Sequence, residues 1–77
     1  MNYVEYLEKQ YKDCEFKELA YMQATVEEMK RDKNEGMRLL GNSYQMAINS
    51  ILNTKDSLFV KKFAELKRFI YAQKRFY

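Results

Sequence analysis

Lys61, Arg68 and Arg75 follow one another at intervals of seven residues, which places them in one row along a helix. Lys67 and Lys74 form a second basic row beside Tyr71, and Leu58, Phe69 and Phe76 make an apolar row of their own. Within Ser57–Tyr77 the only acid is Glu65. Cations interleaved with aromatic rings can hold phosphates and stack bases. The same groups can dock on an acidic or amphipathic protein groove, including one that normally holds nucleic acid. A basic amphipathic helix can also lie on an anionic membrane.

Phe59, Phe63, Leu66, Ile70 and Tyr77 supply a separate narrow stripe, nearly opposite Lys61, Arg68 and Arg75. One apolar row suffices to bury this helix against its own domain. The second row is left over, which points to a partner or to self-association. The plainer reading is a core helix with a solvated basic back. The candidate partner-binding residues are Lys61, Lys67, Arg68, Phe69, Tyr71, Lys74, Arg75 and Phe76.

Catalysis finds little support in the residue types. An enzyme needs an activated nucleophile, a tuned acid–base group or a bound metal or cofactor. The chain has no histidine, Cys14 is its only cysteine, and no Gly-rich phosphate loop is present. Glu15 and Glu18 share a helical face, and Glu27 and Glu28 adjoin, but no third acid converges on either pair. These pairs read as solvated helix surface. The expectation is a protein without enzymatic activity, cofactor or metal.

The elements that must position these residues are helices. The 77 residues are 47% hydrophobic and 32% charged, with no proline and two glycines, Gly36 and Gly41. Such a composition is globular, rich in helix formers and sized for one domain over residues 1–77. The reading is all-α, a three-helix bundle built like a small helical hairpin. The first helix runs over about residues 2–33, the second over 35–53 and the third over 56–76. Asn2 is the expected N-cap, with Glu5 as its capping-box partner. Val4, Leu7, Tyr11, Cys14, Leu19, Met22, Val26 and Met29 fall within one broad face of the first stretch, interrupted by Glu15 and Glu18. A kink near residues 13–15, a projecting end or pairing with a second copy as a homodimer would absorb its excess length. Leu40, Tyr44, Ala47, Ile48 and Ile51 form the stripe of the second helix, and Thr54 or Asp56 caps the third.

Leu40-Gly41-Asn42-Ser43 resembles the turn of a helix-turn-helix, in which Leu-Gly-x-Ser often joins the two helices. Asn42 and Met37 depart from that pattern, and the would-be recognition segment Ser43–Asn53 has no basic residue. The competing reading is a continuous helix that needs Gly41 where a neighbour comes close.

The net charge of +3 is unevenly spread: residues 1–33 carry six basic and eight acidic groups, residues 57–77 six and one. An acidic N-terminal part and a basic C-terminal part can attract each other in the fold. A lone thiol fits a reducing compartment. Met1–Glu5 lacks the basic-then-apolar order of a secretory signal, and no apolar run approaches the ~20 residues of a membrane span. The expectation is a soluble, cytoplasmic protein. Seven tyrosines, several off the main stripes, favour an interface.

The composition, heavy in Lys, Glu, Tyr, Asn and Met, resembles that of small proteins from phages and mobile elements of low-GC bacteria. That resemblance implies an inhibitor or modulator of a larger host machine, such as a nuclease of the CRISPR-effector kind. The expected partner is a host protein or protein–nucleic acid complex. The alternative is a small DNA- or RNA-binding transcriptional regulator.

Overall fold

The computed structural model describes residues 2–75, with side chains described through Gln73. The described residues form four helices: α1 (Tyr3–Tyr11), α2 (Phe16–Lys30), α3 (Glu35–Asn53) and α4 (Ser57–Arg75). Among the described residues there is no strand. The all-α bundle matches the sequence reading, except that its first helix divides in two at the expected kink.

Side-chain phase explains that division. On an unbroken helix turning ~100° per residue, Leu19 and Val26 would lie roughly 100–120° around from Leu7. All three are buried, and the break re-aims the chain so that α1 packs on α3 while α2 packs on both α3 and α4. The chain therefore leaves the helix after Tyr11, and Glu15 re-enters with extended backbone (φ −75°, ψ 159°) as the N-cap of α2. Lys55 ties the break down from the α3–α4 turn by donating from Nζ to the Lys12 carbonyl at 2.7 Å.

The other boundaries follow capping chemistry. Asn2 Oδ1 accepts from the Glu5 N–H at 2.9 Å, Asn34 Oδ1 from Met37 at 3.2 Å, and Asp56 Oδ1 from Phe59 at 2.8 Å. Thr54 instead closes α3, its hydroxyl donating to the Ile51 carbonyl at 2.7 Å. The Arg38 guanidinium folds back to donate to the carbonyls of Asp32 and Lys33 at 2.8 and 3.0 Å, bracing the α2–α3 turn.

The helices stand in the spatial order α1–α3–α2–α4, each packed on its neighbours in that row. The Cα envelope measures 33 × 32 × 14 Å. Four axes spaced 8–10 Å apart, each helix up to ~28 Å long, give those two long dimensions. Leu19, Ala20, Ala24, Val26, Ile48, Ile51, Phe63 and Ile70 form its buried cluster, bordered by Phe16, Met22, Tyr44, Phe59 and Leu66.

Gly41 lies in the middle of α3, buried and helical. A Cβ there would sit 2.9 Å from Met29 Cβ and 3.4 Å from the Lys30 nitrogen. The helix-turn-helix turn that Leu40-Gly41-Asn42-Ser43 resembles is therefore absent, and the continuous helix of the competing reading is found, with Gly41 at a close approach of α2 and α3. No helix among the described residues is long and apolar enough to cross a membrane.

Candidate functional site

α4 forms one end of the row and packs on α2 alone among its neighbours in substantial contact. Phe63 and Ile70 are buried from it, with Phe59 and Leu66 half-buried beside them. This is the core-facing stripe the sequence indicated, apart from Tyr77, which lies outside the described residues. The leftover row stands in solvent: Leu58 and Phe69 are each 59% exposed. Lys61 and Arg68 are exposed alongside it.

The remaining site residues divide. Lys67 is half-buried, its ammonium 5.6 Å from the centre of the Phe63 ring, where a cation–π contact holds it against the molecule's own core. Tyr71 also turns inward and packs against the buried cluster. Its hydroxyl is buried with no hydrogen-bond partner. Burial pushes its pKa up, the Glu27 carboxylate adds to this, and the Gln23 amide and Arg31 oppose it. The side chains of Lys74 and Arg75, and the whole of Phe76, lie outside the described residues.

Lys62 belongs to this face although its seven-residue spacing does not join the Lys61 row. It is exposed, one helical turn from Leu58 and seven residues before Phe69, so it shares their direction. Its ammonium lies 5.7 Å from the Phe16 ring centre. A projection measured from Leu58 and Phe69, rather than from Lys61 and Arg68, would have identified it. The face thus presents two apolar anchors about 16 Å apart along the axis, at ~1.5 Å per residue, flanked by Lys61, Lys62 and Arg68.

A polar network joins α2 to α3. Gln23 is buried, at 5% exposure. Its Nε2 donates to Gln45 Oε1 at 2.6 Å and to Glu27 Oε1 at 3.0 Å, and Gln45 Nε2 returns a bond to Gln23 Oε1 at 2.9 Å. Lys30 Nζ also donates to Gln45 Oε1 at 2.9 Å and lies 3.8 Å from Glu27. Of the paired carboxylates, Glu27 is thereby committed to structure.

The tyrosines also separate by role. Tyr3 stacks on Tyr6 with ring centres 6.1 Å apart and meets the Tyr44 ring edge-on at 6.3 Å, fastening α1 to α3. An open cleft of about 480 Å³ between α1 and α3 is lined by Glu5, Glu8, Lys9, Lys12, Ser50, Ile51 and Thr54. Its charged lining is two acids, Glu5 and Glu8, followed by two bases, Lys9 and Lys12. Cys14 is a half-buried free thiol whose pKa is raised by burial first and by Glu18 second. That disfavours the nucleophilic thiolate.

No family model matches this sequence, and neither curated proteins nor solved structures show significant similarity to it.

Proposed function

We propose that this protein is a non-enzymatic binding module that docks through the outer face of α4 on a larger protein or protein–nucleic acid assembly and modulates it. The observation that carries this reading is the exposure of Leu58 and Phe69 on a helix whose core-facing stripe is already buried. Large apolar anchors flanked by cations suit a partner surface that is itself apolar and rimmed by acids. Lys61, Lys62 and Arg68 would steer approach and fix register, while Phe69 supplies most of the contact energy. The raised pKa of Cys14 and the lack of histidine support a role without catalysis. Inhibition of a host nuclease or regulator is the form this activity takes if the compositional resemblance to phage proteins reflects origin.

Nucleic-acid binding is the second reading, favoured by the exposed Lys61, Lys62 and Arg68. Against it stand the inward turn of Lys67 and the uninterrupted α3. Titration of labelled mixed-sequence duplex with the protein at increasing salt separates the two. Docking predicts weak duplex binding that Phe69→Ala leaves unchanged, together with a protein complex that Phe69→Ala disrupts. Tight duplex binding that falls steeply with salt and vanishes on reversing Lys61 and Arg68 would overturn the docking reading.

A further inference from the structure

The cleft between α1 and α3 has a volume of about 480 Å³, within the roughly 300–1,000 Å³ of small-molecule sites. Its two walls differ in kind. The α1 wall supplies every charge, with Glu5 and Glu8 nearer the start of the helix and Lys9 and Lys12 at its end. The α3 wall is neutral: Ser50, Ile51 and Thr54 line it, and from Leu39 to Thr54 the chain carries no charged residue. Ile51 is buried and adds apolar surface. Thr54 spends its hydroxyl on the Ile51 carbonyl, which leaves Ser50 to offer one to the cleft.

Glu5 and Lys9, like Glu8 and Lys12, stand four residues apart, the spacing of intrahelical ion pairs. Among the described residues, neither pair makes an ion contact. Exposed pairs of this spacing are weak in any case, so a ligand carrying both charges can replace them. The neutral α3 wall brings no competing charge.

The order of the charges defines that ligand. The midpoint of Glu5 and Glu8 lies four residues before the midpoint of Lys9 and Lys12, about 6 Å along the axis at ~1.5 Å per residue. Two residues of extended peptide reach at most about 7 Å. We propose that this cleft binds a linear zwitterion of dipeptide length, its ammonium between Glu5 and Glu8 and its carboxylate against Lys9 and Lys12. A ligand of one sign would meet like charge at one end of the cleft. A single α-amino acid carries both charges on one carbon and engages one end at a time. Ser50 then serves the central amide, and Ile51 takes a small apolar side chain. The site lies at the α1 end of the row, away from the α4 face, and does not depend on docking there.

Titration of the isotope-labelled full chain with alanyl-alanine to about 20 mM, followed by amide chemical shifts, tests this in the millimolar range such small ligands occupy. The expected result is saturable shifts at Ser50, Ile51 and Thr54, with a Kd of about 1 mM or tighter. N-acetyl-alanyl-alanine, alanyl-alanine amide and free alanine should each bind at least about tenfold more weakly, since each loses one charged contact. Glu8→Gln and Lys12→Met should weaken binding by about the same factor with unchanged circular dichroism. Phe69→Ala should leave it unchanged. The inference is overturned if the three amides show no saturable shift, if the capped peptides bind as well as the free one, or if both substitutions are tolerated.

Discussion

Gln23 of α2 and Gln45 of α3 exchange amide hydrogen bonds of 2.6 and 2.9 Å, making a reciprocal pair between the two central helices of the row. Gln23 is almost fully enclosed, whereas Gln45 is half-buried and also receives Lys30 and donates to Asn49. Removing one member leaves the other without its complement. Gln23→Leu or Gln45→Leu alone should cost about 1–2 kcal/mol, and the double variant should recover part of that loss. A urea double-mutant cycle gives the coupling. Strict additivity of the two single effects would show that the pair contributes nothing as a pair.

Gly41→Ala tests the close approach of α2 and α3. In an exposed helix interior this change would stabilise by about 1 kcal/mol. Here the new methyl group meets Met29 Cβ at 2.9 Å, and overpacking costs about 1–3 kcal/mol. The thermal midpoint should fall by several degrees. A rise would place the two helices further apart than described.

Tyr71→Phe should be neutral or stabilising by up to about 1 kcal/mol, because the hydroxyl it removes is buried without a partner. Its ring keeps its place against the core. A loss of more than about 1 kcal/mol in urea unfolding would mean that the hydroxyl makes a bond worth keeping.

Alkaline stability should depend on Tyr44. Hydrogen bonding to the Tyr3 phenol, followed by burial, pushes its pKa from the ordinary 10.0 up to about 12. The folded state therefore holds this proton more tightly than the unfolded chain. Its contribution is complete below about pH 10 and is lost as the pH rises through about 12. Tyr44→Phe should flatten the fall in unfolding free energy across that window. An unchanged slope would assign the alkaline loss to other groups.

Much of this architecture was legible from spacing alone. The boundaries of α3 and the caps Asn2 and Asp56 follow from local chemistry, which acts within one turn. The division into α1 and α2 was visible only as a kink, because one broad apolar face concealed a phase shift of about a third of a turn between Leu7 and Leu19. The Leu40-Gly41-Asn42-Ser43 segment left two readings open because a glycine serves a tight turn and a close helix approach equally well. Only tertiary contact with Met29 distinguishes the two. At the candidate site, the exposure of Phe69 followed from the surplus apolar row. The inward turn of Tyr71 and the parking of Lys67 over Phe63 depend on where α2 sits, which no periodicity within α4 records. Gln23 offered one sequence signal: a polar residue between Leu19 and Val26 on the same buried face.

The docking role of α4 is tested most directly by site-specific photo-cross-linking in bacterial cells. A benzophenone amino acid placed at Phe69 is compared with one at Tyr21, an aromatic residue of α2 with matching exposure, 59% against 61%. The account predicts one discrete cross-linked product from position 69, heavier than two copies of this chain, and none from position 21. Equal products from both positions, or only a dimer-sized band from position 69, would contradict it.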